Sequence, residues 1–229
     1  MMNYSELENN LGYKFQDATL LTHALTHSSY ASEHGLAYVE NNERLEFIGD
    51  AYLDAIIGNK LYDIMPNQPE GVLSKTRASI VCENSLAMVA RRIQLGKYLR
   101  LGNGEEMHGG SDKDSILADA MEAIIGAIII EDGYETGDRV VLSLFKENIL
   151  MALQGKLHHD YKSALQEVLQ GKHKSVQIQY ELISESGPDH RKNFSVQVCA
   201  NGKVLGQGSG HSKKAAEQEA ARSVLTKGV

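Results

Sequence analysis

Two cysteines in 229 residues, Cys82 and Cys199, are too few and too far apart for a disulfide framework. That excludes the disulfide-stapled secreted scaffolds and makes a reducing cytoplasm the expected compartment. A long apolar run free of charge is also missing. The most apolar stretch, Ile116 to Ile130, is too short to cross a bilayer and carries two acids, so no membrane span is expected. Met1 to Glu6 lacks the basic-then-apolar order of a secretion signal. Positive charge is scarce as well: 23 Lys and Arg face 30 Asp and Glu, a net charge of −7. Taken whole, that argues against a polyanionic partner. The shortfall is uneven, however. Residues 155–229 carry 11 Lys and Arg against 7 Asp and Glu, whereas residues 1–154 carry 12 against 23. The chain therefore reads as two modules, an acidic one suited to collecting cations and a basic one able to touch phosphate.

The hydrophobic periodicity divides the chain at the same place. From about Tyr4 to Leu153, apolar residues recur at helical spacing, in Ala18 to Leu25, Leu53 to Leu61, Ser85 to Ile93 and Val140 to Leu150. Gly12, Pro66, Pro69, Gly96, the Gly102-to-Gly110 stretch and Gly133 punctuate these segments as turns. Residues 1–153 are thus expected to form an all-α domain, and residues 154–159 a polar linker. Its paired histidines, His158 and His159, do not share a helix face and are read as solvated. Beyond it the period changes. Tyr161, Ala164, Leu165, Val168 and Leu169 make an amphipathic helix, and Val176, Ile178, Tyr180 and Leu182 alternate with polar residues as a half-buried strand does. Phe194, Val196 and Val198 give a second strand, Asn201-Gly202 a hairpin turn, Val204 onward a third strand and Ser212 to Leu225 a closing helix. Residues 160–229 are expected to form a small α+β domain of order α-β-β-β-α, whose length and Gly187-to-His190 loop resemble a double-stranded RNA-binding domain.

The acidic residues carry the chemistry. Read as a helix, Asn42 to Leu53 places Glu43, Glu46 and Asp50 on one face, among Leu45, Phe47, Ile48, Ala51 and Leu53. A second apolar helical run, Ile116 to Ile130, carries only Asp119 and Glu122, again i and i+3, with Asp114 or Ser115 as its expected N-cap. Burying like charges is unfavourable unless cations compensate them. Either acidic stretch alone could reflect a salt bridge, to Arg44 or Arg77. Two such stretches facing one another bring Glu46, Asp50, Asp119 and Glu122 to one point. Four carboxylates match two divalent ions, and hard oxygen donors suit magnesium or manganese.

The stretch Asn42-Glu43-Arg44-Leu45-Glu46-Phe47-Ile48-Gly49-Asp50-Ala51-Tyr52-Leu53 resembles the signature of bacterial ribonuclease III, with Ile48 where Leu is commoner and Tyr52 bulkier than usual. The resemblance continues through Ala24 to Tyr30, Gly71 to Ala87, Leu101 to Glu106 and Asp114 to Asp119, in the family's order. It implies an endoribonuclease that cuts both strands of double-stranded RNA, leaves 5′-phosphate and 3′-hydroxyl ends, works as a homodimer and processes ribosomal, messenger and transfer RNA precursors. Carried over by position, Glu46, Asp119 and Glu122 are the expected magnesium ligands, with manganese as a substitute and no small-molecule cofactor. Asp50 and Glu122 are the expected catalytic pair, Asp50 positioning or activating the attacking water or touching an ion itself. Glu43 and Glu70 are supporting acids. His27, in the segment before Ser28, reads as structural. In the second domain Gln166 and His190 match positions that meet the minor groove, and Lys213 and Lys214 match positions that bridge phosphates. Those lysines lie in a helix's first turn, where the dipole disfavours cations but phosphate binding favours them. Tyr161 stands where many relatives have Pro. A protein that binds RNA without cutting it has no use for four costly acids. An acidic-cluster hydrolase of small phosphoesters leaves the second domain without a purpose.

Overall fold

The architecture grows from one helix that is apolar on all sides. In a computed structural model, which describes residues 3–155, 157, 161–172, 176–187 and 192–226, the chain divides into two units, Met1–Leu157 and His158–Val229. In the first, three short helices, α1 (Ser5–Leu11), α2 (Ala18–Ala24) and α3 (Ser28–Glu33), lead into the long α4 (Glu43–Ile64). They are followed by α5 (Glu70–Ile80), α6 (Glu83–Arg92), the short α7 (Asn103–Met107), α8 (Asp114–Leu144) and α9 (Lys146–Leu153). Nearly every residue of α8 between Ile116 and Ile129 is buried apart from Asp119 and Glu122, so α8 is the core of the unit, not a surface helix. It kinks at Gly133, whose φ of 81° suits glycine.

Helix α4 buries Leu45, Gly49, Leu53, Ile56, Ile57 and Leu61, a stripe at helical spacing that faces α8. Where the two helices meet, neither has a side chain. A Cβ placed on Gly49 would stand 1.8 Å from the carbonyl oxygen of Glu122, and one placed on Gly126 would stand 2.2 Å from that of Leu45. Backbone therefore lies against backbone at this crossing.

The second unit contains α10 (Tyr161–Lys172), then β1 (Ile178–Ser186), β2 (Asn193–Ala200) and β3 (Lys203–Gly210) in one antiparallel sheet of order β1-β2-β3, then α11 (Lys213–Thr226). Asn201 (φ 49°) and Gly202 (φ 78°) are both left-handed, as a two-residue type I′ hairpin requires. Leu165, Leu169, Val198, Ala220, Ala221 and Val224 form the small core between helices and sheet.

An all-α domain followed by an α-β-β-β-α domain is thus what the chain forms; several details differ from expectation. Asp114 does not cap α8: Lys113 stands at that position without a side-chain cap, and Asp114 is already helical. Its charge favours the helix start there, and it pairs with Arg91 Nη2 at 2.7 Å. The stretch expected as turn after Gly102 contains α7, whose first N–H, from Asn103, is taken by Glu33 Oε2 at 2.9 Å. Strand β1 runs past Leu182 to Ser186, because pairing with Ser195, Phe194 and Asn193 resumes after a bulge. Leu157 is buried against the first unit, inside the stretch read as linker.

Replacing Gly126 with alanine pushes a methyl group into the α4 backbone. The expected loss is about 3 kcal/mol, the upper end of overpacking penalties, read as a lowered unfolding midpoint of the first unit in thermal or urea melts. Alanine at Gly104, where nothing lies within 4 Å of a new Cβ, is the control and leaves the midpoint in place.

Candidate active site

The glycine crossing sets the separation of the acids. Glu46 lies three residues before Gly49 on α4, and Glu122 lies four before Gly126 on α8, so the short contact draws their carboxylates together. Glu46, Asp119 and Glu122 each offer an oxygen, and these three atoms all lie within 4.8 Å of one another. All three residues are half-buried, whereas Asp50, one turn further along α4, is exposed.

No lysine, arginine or histidine forms a salt bridge with any of these four acids among the described residues. Arg77, one of the two cations considered as a partner, instead reaches Asp54, with Nε 3.5 Å from Oδ1. Arg44, the other, is exposed. The electrostatic result is strong proton affinity. Burial, then the charges of Asp50, Glu46 and Asp119, push Glu122 up from an ordinary carboxylate value to about 8. Burial and then Asp119 raise Glu46. Burial also raises Asp119, with nearby His27 pulling the other way. Three crowded, uncompensated oxygen donors are the set a hard divalent cation takes, so the residues present fit such an ion.

The remaining acids lie elsewhere. Glu43 begins α4 and is half-buried; a hydrogen bond to it, and then its charge, make the Tyr38 phenol hold its proton more tightly. Glu70 is exposed at the start of α5 and accepts from Ser74 Oγ at 2.6 Å. His27 caps α3, with Nδ1 accepting from the Ser29 backbone N–H at 3.2 Å; Ser29 Oγ in turn accepts from Gly102 N–H at 2.9 Å. In the second unit, Gln166 on α10 and Lys214 on α11 line one surface cavity of about 580 Å³, together with Lys162, Ser163, Tyr180 and Gln218. Lys213 is exposed beside Lys214 in the first turn of α11, where Ser212 Oγ accepts from Ala215 N–H at 3.1 Å. His190 lies outside the described residues.

Reading the sequence alone missed three features. The glycine crossing was hidden because glycine in an apolar helix usually signals nothing more than a weak helix former. The Asp54–Arg77 pair was visible only as a continuation of the acidic stripe, at i+4 from Asp50. Lys162 gave no signal at all. It packs over the Tyr180 ring, 4.5 Å from its centroid, and pairs with Glu217 at 2.6 Å.

A helical domain with convergent carboxylates, joined to a domain of the α-β-β-β-α type, fits the class that the resemblance implies, a nuclease of structured RNA. Comparison with known proteins agrees. Residues 17–149 match the family model described as Ribonuclease-III-like, and residues 161–227 match the double-stranded RNA binding motif. The chain is 52% identical over 227 residues to Ribonuclease 3 of Caldanaerobacter subterraneus subsp. tengcongensis, covering 99% of this chain and 98% of that protein. It is 49% identical over 224 residues to Ribonuclease 3 of Desulforamulus reducens, covering 96% and 89%. The nuclease domain of Campylobacter jejuni ribonuclease III superposes with a TM-score of 0.60 at 45% identity, covering 64% of this chain and 98% of that one. The chain belongs to the ribonuclease III family. It is an endoribonuclease for double-stranded RNA that uses divalent metal.

The proton on Glu122 makes metal binding and stability depend on pH. Its folded value of about 8 lies above the ordinary 4.5, so between these values the folded, metal-free chain binds more protons than the unfolded chain. Stability of the metal-free protein should therefore fall as pH rises from about 5 to about 8. Melts in a chelator should show that fall, added magnesium should reverse it most strongly near pH 8, and Glu122→Gln should flatten it. An unchanged slope in Glu122→Gln would assign the effect to another group.

Proposed function

We propose that the chain is a magnesium-dependent endonuclease in which Glu46, Asp119 and Glu122 hold the ions and Asp50 handles the attacking water. The observation that carries this reading is the convergence of three uncompensated carboxylates within 4.8 Å, with a fourth exposed one turn away. When bound, divalent ions supply an activated water and charge to stabilise the leaving 3′ oxygen. The chain's own groups do the rest. Glu122 surrenders its proton as the cation arrives, since only the carboxylate form is a ligand. Asp50, open to solvent at the rim, accepts a hydrogen bond from the water and aims it in line with the phosphorus–3′-oxygen bond. As the water oxygen joins phosphorus it gives one proton to Asp50, and the phosphorus–3′-oxygen bond breaks. The 3′ oxygen takes a proton from solvent and Asp50 returns its own to solvent, so the products carry 5′-phosphate and 3′-hydroxyl ends. No side-chain nucleophile is needed, so no covalent adduct forms. Glu43 and Glu70 support the cleavage site from outside the triad.

Gln166, Lys213 and Lys214 are assigned to the duplex, Gln166 with His190 toward the minor groove and the lysines toward phosphates. Recognition of this kind reads A-form shape more than sequence. It suits stem structures in ribosomal, messenger and transfer RNA precursors in the cytoplasm, a compartment in keeping with the free thiols Cys82 and Cys199.

The active form is proposed to be a homodimer, as for the Campylobacter nuclease domain, which is described as having a region involved in dimer formation. Phe47 is 78% exposed and Tyr38 68%, with Val39 and Ile130 also exposed, around a cavity of about 710 Å³ that Leu20, Leu45 and Ile48 also line. An apolar surface of this kind next to the acidic helix is suited to a second copy of the chain.

Two measurements test the reading. Glu122→Gln should abolish cleavage of a labelled duplex of about thirty base pairs in magnesium, yet bind it with near wild-type affinity in calcium, whose looser coordination supports binding without aligned attack. Equal loss of binding and cleavage would remove Glu122 from the catalytic role. Phe47→Glu should convert the dimer to a monomer by sedimentation; a retained dimer would move the interface elsewhere.

A further inference from the structure

The acidic stripe of α4 does not stop at Asp50. Glu46, Asp50, Asp54 and Gly58 follow at intervals of four and so lie along one face of the helix, leading away from the triad. At the end of this row lies Arg77 of α5. Its Nε stands 3.5 Å from Asp54 Oδ1, and its guanidinium crosses α4 at Gly58, where a Cβ would be 3.7 Å from Arg77 Cδ and 3.8 Å from Nη1. Arg77 and Asp54 are 41% and 42% exposed as side chains. Among the described residues the guanidinium makes no other hydrogen bond or salt bridge, and its side chain is partly open to solvent.

A cation whose purpose was to offset the acidic cluster would stand on the triad. Arg77 stands beyond it, held at one nitrogen by a long contact in an exposed setting, the kind of pair that holds weakly. Its planar fork suits a phosphate, which it can engage through two nitrogens at once. Asp54 lies about 6 Å along α4 from Asp50. A duplex strand advances roughly 3 Å per nucleotide along its axis. A strand running along α4 from the triad would carry a phosphate one or two nucleotides away past Arg77.

We propose that Arg77 is a substrate-binding residue: it leaves Asp54 to grip a backbone phosphate of the strand being cut, one or two nucleotides from the scissile bond. Asp54 then serves as a parking place that keeps the guanidinium extended along α4 until RNA arrives. The inference rests on the nuclease reading above and extends it to a contact made by the first unit itself.

The test compares the full-length wild type with Arg77→Gln, Arg77→Lys and Asp54→Asn. Duplex affinity is measured in calcium at several salt concentrations, steady-state cleavage in magnesium, and thermal stability for all four proteins. Arg77→Gln should reduce the slope of log affinity against log salt by about one, the signature of one lost phosphate contact. It should also raise KM roughly tenfold with a smaller change in kcat. Arg77→Lys keeps the charge and should keep the slope. Asp54→Asn breaks the ion pair just as fully but should keep both slope and affinity. If Arg77→Gln and Asp54→Asn weaken binding equally, or if Arg77→Gln leaves the slope unchanged, the pair is structural and the proposal is overturned. Wild type that fails to cleave would sink the nuclease reading on which it stands; wild type that cleaves beside an unchanged Arg77→Gln slope would sink this proposal alone.

Discussion

The contact between Gly49 and Gly126 is the constraint from which the first unit's chemistry follows. Two helices that meet through side chains keep their axes 8–10 Å apart, and carboxylates on their facing surfaces then have room to turn toward water. Here carbonyl oxygens occupy the space where Cβ atoms would be, and residues one turn before each glycine are pressed toward each other. The crowding is unfavourable for Glu46, Asp119 and Glu122 as anions, which is why burial and mutual repulsion raise all three proton affinities. The surrounding apolar residues, with α8 buried on all sides, hold the arrangement closed against that repulsion. The crowding is relieved by positive charge, by protons at low pH, and would be relieved by a divalent ion at higher pH.

The uneven charge of the chain takes on meaning in that light. A module with 23 acids and 12 bases meets a polyanion unfavourably. The second module, with 11 bases against 7 acids and two lysines in the first turn of α11, carries charge of the opposite sign. A cation held at the proposed triad would lessen the local repulsion where a strand approaches, so metal and strand would favour each other there.

Much of this is legible in the sequence. The helical period of the first 153 residues, the alternation after residue 176 and the Asn201-Gly202 turn are local signals, and each formed as its own residues dictate. The i, i+3 spacing of Glu46 with Glu43, and of Glu122 with Asp119, was enough to put each pair of acids on one face. The meeting of the two faces was not legible, because it depends on a missing side chain on each of two helices 77 residues apart. The same holds for Arg77, whose partner Asp54 belongs to another helix and whose exposure depends on packing. Asp114 misled for a different reason: a good capping residue also does well as the first residue of a helix, where its charge meets the dipole without any cap hydrogen bond.

Glu131, just before the kink in α8, receives Tyr13 OH at 2.5 Å, Gln16 N–H at 3.0 Å and Asp17 N–H at 2.7 Å. These bonds join residues 114 to 118 positions apart in the chain. On a ribosome adding about 5–20 residues per second, the segment around Tyr13 waits about 6–24 s for its acceptor to be made. Leu7 and Leu11, fully buried in the finished unit, have no core to enter during that time. The beginning of this chain is therefore among the last parts of its first domain to settle, and a nascent chain paused before residue 131 leaves Leu7 and Leu11 open to whatever is nearby.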